Sequence, residues 1–245
     1  IPDAKAFIGE KATSTLGVSA QEFAELYADF GYGEAFRRDT ASLSYVVSLN
    51  NATWLLCLDT NRYSEHTTSS ISAGRILPQT MSWALEVLQE AKSKNITVLG
   101  MMHHGLLEHI PYQATFFSPY IVDNWQLESE ILADNGLQVM FTGHFHANDV
   151  TQRTTSKGNT IFDVETGSLS QYPFPYRWIV FDGKSLRIDT HFIESIPDVP
   201  DLQQKYRKIM EEFARRSINV KLRKMNIPLS DETREALTDL LTRVH

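Results

Sequence analysis

Short apolar runs and helical apolar spacing alternate along most of the chain and predict a layered α/β domain. Runs rich in β-branched and other apolar residues predict strands at 44–49, 53–58, 96–102, 137–142, 159–165, 178–181 and 185–191. Apolar residues at a spacing of three to four predict helices at 80–93 and 124–135. Ser19-Ala20-Gln21-Glu22 fits a capping box that opens a further helix through about Asp29. Helix–strand units of this kind favour a sheet covered by helices.

The segments outside this pattern differ in character. Residues 1–18 are small and polar and predict a loop, and residues 105–122 predict a second loop rich in aromatic side chains. The pattern changes again near residue 197, after which charge-rich helical patterns occupy about 201–216 and 230–244. We therefore predict one domain over 1–197 and a helical tail or cap over 198–245.

Composition and charge narrow the class of protein. The chain has 245 residues, of which 42% are hydrophobic, and this composition is typical of a globular protein. A net charge of −7 argues against stable nucleic-acid binding. The single cysteine, Cys57, lies in an apolar run, so we expect neither a disulfide nor a thiolate metal site within the chain. No apolar run approaches the roughly 20 residues that span a bilayer, and compartment and oligomeric state stay open.

Two groups of histidines follow predicted strands and form the strongest candidate site. His103 and His104 follow the strand at 96–102, and Gly143-His144-Phe145-His146 follows the strand at 137–142. Open α/β sheets bind ligands beyond the carboxyl ends of their strands, so we expect the two groups to meet. If the backbone there is extended, His144 and His146 point the same way, and Gly143 allows the sharp turn that leads into them. Imidazoles in such a place favour a divalent metal such as Zn, Mn or Fe.

These motifs resemble the last two signature blocks of the calcineurin-like metallophosphoesterases. Those blocks are a strand-terminal His in a His-His-Pro or His-Gly setting, followed by Gly-His-x-His. The hairpin ending in Leu58-Asp59-Thr60 and the segment Thr166-Gly167-Ser168-Leu169 are also similar to this family. The branch it resembles best is that of bacterial cyclic-nucleotide phosphodiesterase-like enzymes, and the resemblance covers about residues 20–195.

The resemblance implies a fold, an activity and a set of ligands. The fold would be a β-sandwich flanked by helices in four layers, α/β/β/α, with the helical tail as an appendage. The activity would be hydrolysis of a small phosphoester, a nucleotide among them, by a hydroxide that bridges two divalent ions about 3.5–4 Å apart. His103 and His144 would bind one ion, and His146 would bind the other. His104 and His109 are further candidates for contacts to substrate or to the ligands.

The family's earlier blocks, Asp-x-His, Gly-Asp-x-x-Asp and Gly-Asn-His-Asp/Glu, are not found in the expected order. We therefore expect the chain to begin just after them, and to bind metal weakly and turn over little substrate by itself. An alternative is a catalytically incomplete protein of this fold that serves as a binding or scaffold module. Asp189-Thr190-His191 fits Asp-x-His, but the next two blocks do not follow it, so a circular permutation is the less favoured interpretation.

The remaining candidates have simpler interpretations. Loop histidines are usually exposed, and we expect this of His109; His66 and His245 are interpreted as solvated. A serine hydrolase is disfavoured because no Gly-x-Ser-x-Gly motif occurs. Five aromatic residues near the second loop either wall a flat leaving group or pack the loop on the core, and they are Tyr112, Phe116, Phe117, Tyr120 and Trp125.

Overall fold

A computed structural model describes residues 4–65, 70–224 and 228–244 of the chain. The predictions for His66 and His245 lie outside the described residues. Eleven strands are present in the described residues: β1 Lys5–Ile8, β2 Lys11–Ser14, β3 Arg37–Arg38, β4 Tyr45–Asn50, β5 Thr53–Leu58, β6 Thr97–Met102, β7 Val139–Thr142, β8 Val150–Thr154, β9 Thr160–Glu165, β10 Pro175–Phe181 and β11 Leu186–Phe192. The α-helices are α1 Ala20–Leu26, α2 Pro78–Ser93, α3 Gln113–Phe116, α4 Trp125–Asp134, α5 Leu202–Lys224 and α6 Asp231–Val244.

A seven-stranded mixed sheet forms the centre of the fold. Its strand order is β3-β4-β5-β6-β7-β9-β8, and β5, β6, β7 and β9 run parallel to one another. The predicted hairpin is present, since β4 pairs antiparallel with β5. The α/β class with a multistranded sheet and flanking helices is therefore confirmed. The other strands form two-stranded sheets, β1 with β2 and β10 with β11.

The core lies where α2 and α4 pack against this sheet. Strand residues and helix residues share one apolar cluster that includes Leu56, Val98, Met140, Ile161, Ala84, Val87, Leu88, Leu132 and Ala133. Cys57 is buried, as the sequence predicts, and is not in a disulfide. Burial of apolar surface in this cluster, at about 25 cal/mol per Å², stabilises the packing of the two helices on the sheet.

Several local predictions were right. The capping box at the start of α1 is formed, with the Ser19 hydroxyl accepting from the Glu22 amide and the Glu22 carboxylate accepting from the Ser19 amide. Gly136 follows α4 with φ of 98°, the left-handed backbone that favours glycine after a helix.

Two predictions were wrong in detail, and one strand was not predicted. Residues 1–18 are not all loop, because β1 and β2 pair as an antiparallel hairpin within them. Strand β8 had no prediction at all, since its alternation is short and polar and its stability comes from pairing with β9. The loop at 105–122 contains α3, a single turn of helix.

Residues 168–178 and 188–245 form a second compact unit. Both predicted tail helices occur there, and the Arg215 guanidinium on α5 pairs with Glu235 and Asp239 on α6. The Gln203 side-chain amide donates to the carbonyl oxygens of Pro173 and Ile193. The boundary near residue 197 stays a prediction.

Among the described residues, no helix is both long and apolar enough to cross a membrane. The longest, α5, spans 23 residues but carries charged side chains along its length.

Candidate metal centre

The candidate site lies at the edge of the sheet where the parallel strands end. Leu58 of β5 pairs in register with Met102 of β6, and Thr142 of β7 pairs with Glu165 of β9. The loops that leave β6 and β7 carry the two predicted histidine groups. They are joined at their base by a hydrogen bond of 3.0 Å from the Gly143 amide to the His103 carbonyl oxygen.

The structure brings His103 and His144 into direct contact. His103 Nε2 lies 2.9 Å from His144 Nδ1. His144 Nε2 lies 3.1 Å from the carbonyl oxygen of Ser72, and this oxygen can only accept, so Nε2 carries the proton. A neutral His144 then presents an unprotonated Nδ1 toward His103. A metal-binding histidine usually donates its other ring N–H to a carbonyl or carboxylate in this way.

The surroundings of His103 and His144 favour the neutral imidazole, which is the form that binds metals. Burial lowers the pKa of His103, and the charge of His146 lowers it further. Burial also lowers the pKa of His144, with a second contribution from His103. Both imidazoles are therefore neutral at pH 7, each with one protonated and one unprotonated nitrogen. Because His144 Nδ1 is unprotonated, His103 Nε2 is the donor in the contact between them.

His146 lies beside this pair, but its backbone is not the extended one that the sequence suggested. His144 has φ of 70° and His146 has φ of 63°, both in the left-handed region. Gly143 is not among the residues with positive φ, so the turn is made by the histidines themselves. Non-glycine residues in this region are uncommon and cluster at functional sites. His146 is exposed, and its charge lowers the pKa of both neighbours.

His104 lies against His144, with ring centroids 4.7 Å apart, and is held by protein groups on both ring nitrogens. Its side chain is buried, at 2% exposure. Nε2 lies 3.0 Å from the same Ser72 carbonyl oxygen, so the Thr60 hydroxyl, 2.7 Å away, donates to Nδ1. Burial lowers the pKa of His104 to about 4. With both nitrogens bonded, His104 supports the Ser72 carbonyl and has no lone pair left for a metal.

Gly74 allows this close packing. A Cβ at residue 74 would lie 2.4 Å from Cγ and 2.6 Å from Nδ1 of the His104 ring. Such distances require the ring or the backbone to move. The segment 72–74 can therefore approach His104 only because residue 74 has no side chain.

We expect Gly74→Ala to destabilise the chain by about 2 kcal/mol, because overpacking typically costs 1–3 kcal/mol. It should also displace the Ser72 carbonyl and so weaken the orientation of His144. Urea unfolding gives the first effect. Gly158→Ala is the control for inserting a methyl group, since a Cβ there meets nothing within 4 Å, although its φ of 84° adds some strain. Equal metal affinity in wild type and Gly74→Ala would contradict the proposed role of Ser72.

His109 is not exposed, and this expectation was wrong. Its side chain is fully buried, with Nδ1 3.2 Å from Asp149 Oδ2 and Nε2 3.5 Å from Asp163 Oδ2 and 3.4 Å from Glu165 Oε2. Burial alone would lower the pKa of His109, but the surrounding carboxylates outweigh it and raise the pKa. The sequence pattern did not identify the carboxylate partners, although Asp163 and Glu165 alternate with apolar residues in a predicted strand.

The aromatic residues near the second loop divide between lining the candidate site and packing on the core. The Tyr120 ring lies 4.8 Å from the His144 ring and contacts Phe145, which also contacts Phe117. Tyr120 is 36% exposed beside the histidines, whereas Trp125 packs against the core cluster. Tyr112 and Phe116 are exposed.

Two other candidates have contacts within the second compact unit. His191 lies within β11, where its ring stacks on Tyr176 at 5.3 Å. The Ser168 hydroxyl is hydrogen-bonded to Ser170.

The residues present fit a metal ion in part. His103 Nε2 donates to His144 Nδ1, so an ion between these nitrogens would require the His103 proton to move to Nδ1; imidazole binds Zn, Mn and Fe ions. Over residues 4–65, 70–224 and 228–244, however, no group of three or more His, Cys, Asp or Glu side chains is placed to hold an ion. The described residues therefore bring two ring nitrogens together, fewer than the three or more side chains of a typical protein metal site.

The chain is a mixed α/β protein whose fold is similar to that of a dimetal phosphatase. A crystal structure of a dimetal phosphatase from Danio rerio superposes with a TM-score of 0.51 and 14% sequence identity, over 69% of this chain. The matched region spans 65% of that phosphatase, so about a third of its length has no counterpart here. A scan of protein-family models and a search of curated proteins find no match.

Proposed function

We propose that this chain is part of a metal-dependent phosphoesterase and that His103, His144 and His146 bind its metal ions. The observation that supports this most strongly is the contact of His103 Nε2 with His144 Nδ1 at 2.9 Å, with the proton of His144 held on its other nitrogen by the Ser72 carbonyl. An ion bound between the two nitrogens would replace the proton that His103 Nε2 donates, and the His103 ring would stay neutral with its proton on Nδ1. In zinc sites each nitrogen lies about 2.0–2.1 Å from the ion, and two nitrogens roughly 3 Å apart suit one shared ion.

In this proposal, His103 and His144 hold one ion and His146 holds a second. Two divalent ions would neutralise the negative charge that develops on the phosphoryl oxygens. The chain's own contribution is orientation, because Ser72 fixes the ring of His144 and His104 in turn supports Ser72. The low pKa of His103 and His144 keeps both rings neutral and free to bind.

We further propose a phosphodiester substrate, a cyclic nucleotide or a related compound, as the sequence resemblance to the bacterial phosphodiesterase-like branch implies. The partly exposed Tyr120 ring beside His144 supports a flat leaving group, since aromatic rings stack on one another with centroids 4.5–7 Å apart.

A second candidate is a catalytically incomplete protein of this fold that binds ligands or partners. It is favoured by the absence, within the described residues, of a third protein ligand to complete either ion's coordination. The two candidates differ in whether the natural full-length protein turns over substrate.

Metal removal tests the proposal. Dialysis of the natural full-length protein against EDTA should abolish hydrolysis of bis(4-nitrophenyl) phosphate, and added Mn²⁺ should restore it. A serine-type inhibitor serves as the control and should have no effect. Hydrolysis that survives chelation would contradict the proposal, and a full-length protein that binds Mn²⁺ without hydrolysing any phosphoester would favour the second candidate.

A further inference from the structure

A buried cluster of ionisable side chains lies beside the candidate metal centre. We call it the His109 cluster, and it consists of His109, Asp149, Asp163 and Glu165. The side chains of His109, Asp163 and Glu165 are fully buried, and only Asp149 is partly exposed. His109 comes from the loop after β6, Asp149 from the loop after β7, and the two others from the end of β9.

Asp163 is bonded to the first ligand-bearing loop. Its Oδ2 accepts from the amides of Leu106 at 2.7 Å and Leu107 at 2.9 Å. These residues follow closely after His103 on the same loop. Its Oδ1 accepts from the hydroxyl of Thr142, the last residue of β7, two positions before His144. The Asp163 carboxylate therefore connects the segment that follows His103 with the segment that precedes His144.

Glu165 is bonded to the second ligand-bearing loop. Its Oε1 accepts from the Ala147 amide at 3.2 Å, directly after His146. The Glu165 amide donates to the Asp149 carbonyl oxygen at 3.0 Å, which closes the other end of the same loop. The His109 ring spans the two carboxylates, with Nε2 3.5 Å from Asp163 and 3.4 Å from Glu165.

Charged groups in such a position are costly unless they are paired. The effective penalty for removing an ion from water is several kcal/mol, and a well-packed apolar cluster is often at least as stable as a buried ion pair. Stability alone therefore does not account for these groups well. Their hydrogen bonds go to backbone amides of the ligand-bearing loops, which no apolar side chain could hold.

We propose that Asp163 and Glu165, bridged by His109, are positioning residues that hold the two ligand-bearing loops in register for metal binding. This inference rests on the proposed metal centre. It assigns to β9 the role of a fixed support from which the loops after β6 and β7 are oriented. Groups that support metal ligands in this way typically contribute 10–100-fold to metal affinity or activity.

Replacement of Asp163 tests the proposal with Zn²⁺ as the probe and calorimetry as the readout. In Asp163→Ala the Leu106 and Leu107 amides lose their acceptor, and we expect Zn²⁺ affinity to fall by about 10–100-fold. Asp163→Asn should restore most of the affinity, because one amide oxygen can accept both N–H bonds. If Asp163→Ala does not fold, Glu165→Ala carries the same test through the Ala147 amide.

Asp134→Ala is the matched control. The Asp134 carboxylate accepts from the Thr155 hydroxyl at 2.7 Å and the Asn159 side-chain amide at 2.8 Å, near the start of β9 and away from the ligand-bearing loops. We expect this variant to lose stability and to keep the wild-type affinity for Zn²⁺. Wild-type affinity in Asp163→Ala or Glu165→Ala would overturn the proposal.

Amide hydrogen exchange gives a second readout that does not need the metal. Exchange at Leu106 and Leu107 should become faster in Asp163→Ala than in Asp134→Ala at equal global stability. Unchanged local exchange would overturn the proposal. Failure of the proposed function would be seen separately. In that case His144→Ala would leave Zn²⁺ binding unchanged, and both the proposed function and the positioning role would be overturned.

Discussion

Replacing His144 with alanine should reduce metal affinity and phosphoesterase activity of the natural full-length protein by at least about 100-fold. Loss of a group that only supports a metal ligand costs up to about 100-fold in metal affinity or activity. The expected effect is at least this large because His144 is a proposed ligand itself. Its ring contacts His103 on one side and the Ser72 carbonyl on the other, so its removal also frees His103 from its partner. Metal content measured by mass spectrometry and kcat/KM for bis(4-nitrophenyl) phosphate give the two readouts.

His191→Ala is the matched control for this prediction. His191 belongs to an Asp-x-His sequence, yet it lies within β11 and stacks on Tyr176. Its replacement should leave metal content and kcat/KM unchanged. An active, metal-loaded His144→Ala enzyme would contradict the proposed ligand set.

The His104 side chain should contribute a loss of about 3 kcal/mol in the free energy of unfolding as the pH decreases from about 6.5 to about 4. Burial lowers the pKa of His104 to about 4 from an ordinary value of 6.5. Between these pH values the unfolded chain binds a proton at this residue and the folded chain does not. The stabilisation is therefore fully present above pH 6.5 and is lost as the pH falls through the folded value.

Comparison with His104→Gln isolates this contribution. Other groups also titrate here: burial raises the pKa of Glu165 to about 7, and the carboxylates around His109 raise its pKa. Both stabilise the folded chain toward lower pH, opposite to His104, and both remain in the variant. Urea unfolding from pH 4 to 7 should show that the stability of the wild type relative to His104→Gln falls on acidification. Parallel curves for the two proteins would refute the buried neutral state of His104.

The meeting of the two histidine groups could be predicted because it depends on local pattern and on one general rule. The helix–strand units at 80–102 and 124–142 are strongly periodic, and parallel strands place their carboxyl ends at one edge. The contact between His103 and His144 agrees with this reasoning. Their roles as metal ligands stay a prediction.

The burial of His109 could not be predicted from its own neighbourhood. It lies in a loop without periodicity, and its partners Asp163 and Glu165 are more than fifty residues further along the chain. The sequence around Asp163 and Glu165 did contain a signal for such a contact. Two acidic residues two positions apart in an apolar strand share one face, and buried carboxylates require a cationic or hydrogen-bonding partner. That pattern predicts a partner without identifying it.

The backbone conformation of the Gly-His-x-His segment also could not be predicted from the sequence. Alternation suggested an extended strand end, but His144 and His146 adopt positive φ. This conformation is stabilised by tertiary contacts, among them the Ser72 carbonyl at His144 and the Glu165 carboxylate at Ala147. Local propensity does not contain that information, since non-glycine residues rarely adopt this region.

Crystals of the natural full-length protein grown with Zn²⁺ provide the most direct measurement of the proposed metal centre. Anomalous diffraction at the zinc edge locates the ion independently of the protein coordinates. We expect a peak about 2.0–2.1 Å from both His103 Nε2 and His144 Nδ1, the usual zinc–nitrogen distance. Zinc bound elsewhere, with these two nitrogens still hydrogen-bonded to each other, would contradict the proposed metal centre.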